Sequence, residues 1–370
     1  MRVLMIAPTP YFSDRGCHIR IYNEIEALQT TGHSVVLYTY HLGRQVGSAT
    51  IQRSVAIPWY NKTTAGPSWH KLYLDVLLWW KIITTVRREH VQLIHAHLHE
   101  GAWIGWWVKL FTGLPLILDA QGSLVAELDS YGWLQAGWRR RWFVMIERWI
   151  VHHVDYIFVS STTLLQQYSE RWPKLTEKMT VLADGILPRQ PISQIANSAL
   201  ARTVIYTGGL TASKGINDLL RAIPLVVEKI PAVRFVIIGY PVPQPLPTNL
   251  PIDWVGQVDY FTLSRYLANA QIAVEPKPMN STESSGKLLQ YMAHGLAVVA
   301  FSSSHNAATL GQAGLLATTQ SAEALAERII WLLQHPEQTT ALGQAAQRRA
   351  QNFSWLKIIV QATTVYEQMV

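Results

Sequence analysis

SSGKLLQYMAHGLAVVA, at residues 284–300, joins a short amphipathic helix to an apolar strand, with Gly295 as the break between them. Two serines and a glycine precede Lys287, which therefore lies on the first turn of the predicted helix. A helix start exposes unpaired N–H groups and the positive end of the helix dipole, so it favours an anion and disfavours a lysine. The lysine is favourable there only if a negatively charged group lies beside it.

Helical segments and apolar strand-like segments alternate on both sides of this stretch. Strands that are apolar throughout, each followed by a helix, are typical of parallel sheets covered on both faces. The predicted strands are 3–7, 34–40, 91–97, 115–120, 155–160 and 179–185 in the first half, and 203–209, 233–240, 252–258, 271–276 and 297–301 in the second. Besides the helix of the opening stretch, the predicted helices are 17–31, 214–229, 260–269, 321–335 and 355–369.

A chain of 370 residues is too long for one compact core. We therefore expect an α/β protein with two Rossmann-like domains that face each other across a cleft, at 1–190 and 200–350, with a linker at about 186–200. A C-terminal helix within 351–370 is expected to pack back toward the first domain. Open parallel sheets bind ligands beyond the carboxyl ends of their strands, so the cleft is the expected site.

The composition limits the class of partner. A formal net charge of +7 and a pI near 9.4 favour an anionic partner such as a nucleotide, a nucleic acid or an acidic lipid. The single cysteine, Cys17, excludes a disulfide framework and a cysteine-based zinc site and is typical of the reducing cytosol. The first apolar run ends at Pro8, too early for a signal peptide, and no uncharged apolar run reaches about 18 residues, the length of a spanning helix. We expect a cytoplasmic protein that does not cross a membrane.

Two loops in the second half have the composition of phosphate-binding loops. Gly208-Gly209 follows a predicted strand, with Lys214-Gly215 opening the next helix, and residues 284–287 repeat the combination of small residues and a lysine. Glycines let backbone N–H groups approach a ligand, and a lysine reaches a phosphate. Each loop alone is more often a turn with a solvated lysine, but two such loops in one domain favour a diphosphate ligand.

These loops resemble the signatures of the family 4 glycosyltransferases, which have the two-domain GT-B fold. YTGGLTASKG (206–215) resembles the family's first glycine-and-lysine loop, and the opening stretch resembles its second signature. VLADGI (181–186) and PTPYFSDRGCHIRIYNEIEAL (8–28) resemble two further segments, so the similarity extends over nearly the whole chain. The resemblance implies a retaining transferase that uses a nucleotide-sugar donor, with no cofactor, no essential metal and no nucleic-acid partner.

Roles of individual residues follow from this resemblance and from the residue types. Catalysis is assigned to Lys214, Lys287, Glu275 and Glu283, with either glutamate orienting the sugar. The predicted nucleotide-sugar contacts are Gly16, Gly208, Gly209, Lys214, Ser284, Ser285, Gly286, Lys287, Leu288 and Gln290. The chain departs from the family where Gly209 replaces an arginine, where Gln290 replaces a glutamate that grips ribose, and where Asp119 or Gln121 would have to replace a histidine.

Three histidines alternate in HAHLHEG (95–101). Alternate residues of a strand share one face, so His95, His97 and His99 can converge as metal ligands do. A helical Glu-x-x-His partner and a cysteine are missing from the pattern, which favours structural or acceptor-contacting histidines and no metal site. The predicted acceptor-binding residues are His97, His99, Asp119 and Gln121.

Ten of the fifteen tryptophans lie between residues 69 and 149, twice beside clusters of lysine and arginine. Most large aromatic side chains are buried, so a core is the alternative interpretation. Indoles at headgroup depth with cations on anionic lipid are typical of interfacial helices, which favours a peripheral membrane protein with a lipid-borne acceptor. The predicted membrane residues are Trp79, Trp80, Arg87, Arg88, Trp138, Arg139, Arg140, Arg141 and Trp142.

Among lipid-modifying members of the family, the chain resembles the cyanobacterial-type digalactosyldiacylglycerol synthases, which implies UDP-galactose as the donor. A polysaccharide or lipopolysaccharide transferase of the same fold is one alternative, and an inactive membrane-binding scaffold is another. A nicotinamide-dependent enzyme is disfavoured, because neither Gly16 nor Gly208-Gly209 belongs to a G-x-G-x-x-G motif with an acidic residue about 20 positions further on.

Overall fold

The computed structural model describes residues 1–64, 66–135, 137–187, 202–242, 249–281 and 285–370. These residues form two compact units. The first unit contains Met1–Leu187 and, at the end of the chain, Trp355–Val370; the second contains the described residues from 202 to 354. Most of the predicted linker lies outside the described residues.

The first unit is a parallel sheet of seven described strands with helices on both faces. The strand order is β3-β2-β1-β4-β5-β6-β7. The strands are β1 (Arg2–Ala7), β2 (Ser34–Thr39), β3 (Thr50–Arg53), β4 (Leu93–His97), β5 (Leu116–Ala120), β6 (Tyr156–Val159) and β7 (Met179–Val181). The helices are α1 (Gly16–Thr30), α2 (Lys71–Glu89), α3 (Leu98–Thr112), α4 (Leu124–Ser130), α5 (Gly137–His153) and α6 (Thr162–Arg171), with a 3-10 helix at Pro173–Lys178.

The second unit is a parallel sheet of six described strands in the order β10-β9-β8-β11-β12-β13. The strands are β8 (Thr203–Thr207), β9 (Arg234–Ile238), β10 (Ile252–Gly256), β11 (Ile272–Glu275), β12 (Ala297–Phe301) and β13 (Leu315–Ala317). The helices are α7 (Ile216–Lys229), α8 (Tyr260–Ala268), α9 (Gly286–Ala293), α10 (Ser304–Leu310), α11 (Ala322–Gln334) and α12 (Pro336–Ala350), with 3-10 helices at Ala212–Lys214 and Gln351–Phe353.

The last helix of the chain, α13 (Trp355–Met369), belongs to the first unit and packs against α1. Strand β4 shows how the two faces of that sheet differ. Ile94 and Ala96 belong to the apolar core that also contains residues of α2, α3 and α5, whereas His95 and His97 face the side of α1 and α13. One face of the sheet is therefore apolar and the other carries buried polar groups.

Both sheets have the same switch in strand order next to their first strand. Chain order runs outward from β1 to β3 and then returns to β4 on the other side of β1; in the second sheet it runs from β8 to β10 and returns to β11. Crevices at the carboxyl ends of such neighbouring strands are the usual ligand sites of open α/β sheets.

The two Rossmann-like parallel sheets confirm the predicted fold class. The strands β3 and β13 and the helices α3, α4, α6, α10 and α12 have no predicted counterpart, and α2 and α5 were predicted only as interfacial helices without bounds. The two strands contain four and three residues, too few to show a clear apolar period. The predicted strand 179–185 ends at Val181. In the part of the chain described, every helix is too short or too polar to cross a bilayer.

Candidate functional site

The glycine loop after β8 lies directly against Lys287. Gly208 has a φ of +135°, and a Cβ added there would lie 3.2 Å from the Nζ of Lys287. A Cβ on Gly239 would lie 1.8 Å from the carbonyl oxygen of Gly208, so that position requires glycine as well. The structure thus brings the first predicted loop and the lysine of the second together at the switch point between β8 and β11.

Lys287 has a negatively charged partner within the protein. Its Nζ lies 3.3 Å from Oε1 of Glu275, the last residue of β11, and 4.4 Å from the ring centre of Tyr206. The lysine on the first turn of α9 is therefore balanced by a buried carboxylate and an aromatic face. An incoming anion would approach a lysine that is already held in position.

Glu275, a predicted catalytic residue, lies buried beside Ser285 and Lys287. Its side chain is fully buried, its Oε2 accepts a hydrogen bond from the hydroxyl of Ser285, and its Oε1 accepts one from the N–H of Lys277 at 3.3 Å. A carboxylate engaged in this way has no surface to offer a sugar hydroxyl. The structure supports Glu275 as a positioning residue for Lys287 and Ser285.

Lys214 is placed by a tight packing contact next to the same strand end. It ends the 3-10 helix Ala212–Lys214, and Gly215 follows with a φ of +78°. A Cβ on Gly215 would lie 1.7 Å from the carbonyl oxygen of Pro276, the first residue after β11. The Cγ of Lys214 lies 3.6 Å from the Cβ position of Gly209. Lys214, both glycines and the exit of β11 are therefore neighbours.

The remaining predicted contact residues on α9 differ in how deeply they are buried. Gly286 is exposed and Gln290 is half-buried one turn after Lys287. The side chain of Leu288 lies in the core, and its N–H donates to the carbonyl oxygen of Ser285 at 3.0 Å. Glu283 and Ser284 lie outside the described residues.

In the first unit the predicted acceptor residue Asp119 is the centre of a buried ion-pair network. Arg20 donates to both of its carboxylate oxygens, at 2.9 and 2.7 Å, and to Asp184 at 2.8 Å. Gln121 donates to Asp119 at 3.0 Å, and Nδ1 of His97 lies 3.1 Å from it. Burial alone would raise the pKa of Asp119, but Arg20 and the hydrogen bond with His97 hold that pKa below its ordinary value.

His97 and Asp119 therefore differ from the prediction that they contact an acceptor, because both are fully buried and bonded to each other. His99 is separated from them. Strand β4 ends at His97, Leu98 has a φ of +63°, and His99 lies on α3, where its Nε2 is 3.0 Å from the hydroxyl of Tyr168. Gln121 remains half-buried, and Gly16 is exposed at the first residue of α1 with nothing near its Cβ position.

Sequence reasoning missed Arg20 and Glu24, which lie one turn apart on the buried side of α1. Burial, followed by the charge of Asp119, raises the pKa of Glu24 well above its ordinary value. Both residues fall among the apolar positions of the helix, and that coincidence of charge with an apolar face was the available signal.

The predicted membrane residues lie on α2 and α5, which bury some of their apolar side chains and expose others. Helix α3 contacts both α2 and α5, and ring contacts join them, as between Trp79 and Phe111 at 5.9 Å. Trp79 itself is half-buried against the core, whereas Arg87, Arg88 and Arg139–Arg141 are exposed. The exposed apolar residues of these three helices, called the aromatic face below, are Leu72, Val76, Trp80, Trp103, Trp107, Leu110, Phe111, Trp138, Trp142 and Met145.

Two solved structures are similar to nearly the whole chain, and one curated relative is similar to about three quarters of it. Sucrose-phosphate synthase from Thermosynechococcus elongatus has a TM-score of 0.80 at 21% identity, covering 99% of this chain and 98% of that chain. Anabaena HepE, solved in complex with UDP and glucose, has a TM-score of 0.73 at 15% identity, with 100% of both chains covered. The glycogen synthase of Mycobacterium tuberculosis is 23% identical over 307 residues, which are 77% of this chain and 71% of that protein.

Family models match each half of the chain separately. Residues 15–185 match the family described as "Glycosyl transferase 4-like domain", and residues 201–335 match the family described as "Glycosyl transferases group 1". The two matches together take in most of the chain, and the protein is a glycosyltransferase with the GT-B fold.

Proposed function

We propose that the protein transfers a hexose from UDP-galactose to a glycolipid at a membrane surface, with retention of the anomeric configuration. The nucleotide-sugar donor is proposed because Lys287 is held against Gly208 and Glu275 at the switch point of the second sheet. A fixed cation beside a glycine loop and a helix N-terminus is suited to a diphosphate.

In the proposed reaction, this site stabilises the leaving group. Departure of a nucleoside diphosphate places negative charge on phosphate oxygens, and preorganised cations lower the barrier to that step. Lys287 and the dipole of α9 supply the first positive potential, and Lys214 supplies a second cation next to the exit of β11. The acceptor hydroxyl attacks on the same face, and its proton passes to the departing phosphate, so the transfer uses no strong protein base.

A uridine nucleotide is supported by HepE, which has the same fold and was solved with UDP. Galactose as the sugar rests on the resemblance of the sequence to the digalactosyl lipid synthases. We therefore take UDP-galactose as the first donor for assay and UDP-glucose as its competitor.

The lipid acceptor is supported by the aromatic face. Trp80, Trp138 and Trp142 expose 59%, 69% and 56% of their surface. Isolated exposed apolar residues are ordinary, but a group of them on three neighbouring helices marks an interaction surface. The exposed arginines at the end of α2 and the start of α5 add the positive charge that anionic headgroups attract.

A transfer assay tests the whole proposal. The protein is incubated with UDP-galactose and vesicles of phosphatidylglycerol and monogalactosyl diacylglycerol, and the lipid product is identified by mass spectrometry and by the anomeric coupling in its NMR spectrum. We expect an α-linked digalactosyl lipid. Lys287→Ala should reduce turnover by orders of magnitude, while Lys229→Ala, an exposed lysine of the same unit, should not.

The other outcomes separate the competing functions. Transfer to soluble glucans but not to lipid would favour a polysaccharide transferase, in line with the similarity to glycogen synthase. Absence of turnover with every UDP-sugar, together with vesicle binding, would favour the inactive scaffold. An inverted product would contradict the retaining mechanism.

Vesicle flotation tests the proposed membrane binding separately from the transfer reaction. The triple variant Trp80→Ser, Trp138→Ser and Trp142→Ser should lose binding to phosphatidylglycerol vesicles. Phe261→Ser, which changes an exposed aromatic residue of the second unit, should retain it. Equal flotation of both variants would remove the aromatic face from the proposal.

A further inference from the structure

The polar side of the first sheet contains a group of unpartnered ligand atoms. Glu24 on α1 and His95 and His97 on β4 are fully buried. Both carboxylate oxygens of Glu24, and Nε2 of each histidine, lack a hydrogen-bond partner among the described residues. Buried polar atoms are nearly always hydrogen-bonded, so four such atoms in one place call for a ligand.

These atoms lie close together, as the ligand atoms of a small cation do. Ligand atoms from Glu24, His95, His97 and Asp119 all lie within 4.8 Å of one another, and Oε1 of Glu24 is 3.4 Å from Nε2 of His95. Four ligands at about 2.0–2.1 Å from a tetrahedral zinc ion are separated from one another by about 3.4 Å. The atoms Oε1 of Glu24 and Nε2 of His95 have this separation, and neither has a hydrogen-bond partner among the described residues.

The other nitrogen of each histidine has an oxygen partner. Nδ1 of His97 lies 3.1 Å from the carboxylate of Asp119, which only accepts, so Nδ1 carries the proton and Nε2 has a lone pair. Nδ1 of His95 lies 2.6 Å from the hydroxyl of Tyr366, whose oxygen also accepts. Metal-bound histidines typically donate their second N–H to a carboxylate or another oxygen in this way.

The surrounding charges are compatible with a divalent cation. Glu24, Asp119 and Asp184 are three carboxylates facing the single guanidinium of Arg20. Arg20 already donates to both aspartates and to the carbonyl of Leu182, so it makes no hydrogen bond to Glu24. Ionised Glu24 leaves an excess of two negative charges, which one divalent cation balances.

We propose that Glu24, His95 and His97 bind one zinc-type divalent cation through a carboxylate oxygen and two Nε2 atoms, with Asp119 and Tyr366 orienting the two imidazoles. Two nitrogens and one oxygen are a ligand set that zinc accepts. The cation would join α1 to β4 and, through Tyr366, to α13. Its role is to stabilise the first unit, and it is independent of the donor site in the second unit.

Because all three ligands are buried, uptake of the cation should accompany folding. The full chain, with any affinity tag removed, is unfolded in urea and refolded either with Zn²⁺ or with a chelator. After desalting, metal content is measured by mass spectrometry and stability by thermal unfolding. We expect one Zn²⁺ per chain and a higher Tm for the zinc-refolded protein. At a free Zn²⁺ concentration 100 times Kd, the folded-to-unfolded ratio should rise about 100-fold.

Matched variants locate the ion. Glu24→Gln and His97→Gln should each abolish retention of Zn²⁺. His18→Gln changes a buried histidine whose nitrogens already lie near Thr9 and Ser13, and it should retain the ion. X-ray absorption of the zinc-loaded wild type adds a readout that does not depend on variants folding, with two imidazole ligands expected at about 2.0 Å.

Folded wild type that holds no zinc after refolding with Zn²⁺ would overturn the proposal. Folded Glu24→Gln protein with full zinc content, or an absorption spectrum without imidazole ligands, would overturn it equally.

Discussion

Lys287→Ala should weaken binding of UDP far more than binding of uridine. The ammonium group is fixed by Glu275 at 3.3 Å and by the ring of Tyr206, and only 17% of the lysine side chain is exposed, so it meets a diphosphate without first being ordered. A hydrogen bond to a charged group contributes about 1.5–3 kcal/mol. At 1.4 kcal/mol for each factor of ten, the Kd for UDP should rise roughly 10- to 150-fold. The buried carboxylate of Glu275, left without its counter-charge, repels the ligand and moves the expected value toward the upper end.

Isothermal titration calorimetry at fixed ionic strength measures the two affinities. Uridine lacks the diphosphate, so its Kd should change little, and Lys229→Ala should leave both values as in the wild type. Thermal unfolding without ligand checks that the variant is folded. A folded Lys287→Ala protein whose Kd for UDP changes less than threefold, or which loses uridine affinity equally, would refute the phosphate contact.

Three further predictions concern stability. Arg20→Met should lower the free energy of unfolding by about 3–5 kcal/mol in urea titrations, because it leaves the buried carboxylate of Asp119 without its positively charged partner. A loss below about 1 kcal/mol would contradict this prediction. Burial, followed by the charge of a nearby glutamate, raises the pKa of Asp75 to about 8, so the folded protein binds more protons than the unfolded chain between about pH 4 and 8. The protein should therefore lose stability as pH rises through that window. Asp75→Asn should flatten the dependence of stability on pH, and an unchanged slope would contradict the role of Asp75. Gly215→Ala should destabilise the protein far more than Gly256→Ala, since the φ values are +78° and +77° but only the first Cβ meets backbone, at 1.7 Å; equal losses of Tm would show that the contact is relaxed by backbone movement.

The fold and the position of the two glycine-and-lysine loops could be predicted because they depend on local patterns. Apolar runs such as 297–301 identify buried parallel strands, and glycines directly after strands identify loops at the carboxyl edge of a sheet. The pairing of Lys287 with Glu275 could not be predicted in the same way. The pairing depends on how closely Gly208 packs against Lys287 and Gly215 against the residue after β11. Tertiary packing of this kind leaves no periodic pattern in the sequence.

The histidine segment shows the limit of strand periodicity. His95 and His97 share a face as predicted, but the strand ends at His97, two residues before His99, so His99 does not join them. Their neighbours Arg20 and Glu24 lie among the apolar positions of α1, and a helical period does not say whether charged residues at such positions are buried. Whether a charged residue on a helix is exposed depends on what packs above that helix, and here α13 arrives from the other end of the chain.

That return of α13 has a consequence for synthesis of the protein. The ribosome completes the second unit before it makes the helix that covers α1, so the emerging first half holds a layer of uncovered carboxylates and imidazoles until residues 355–369 have been synthesised. Water solvates these groups in the meantime, and the layer closes only after the second unit has been made. A gene fragment that encodes only the first half should therefore yield a protein in which these carboxylates and imidazoles remain exposed to water.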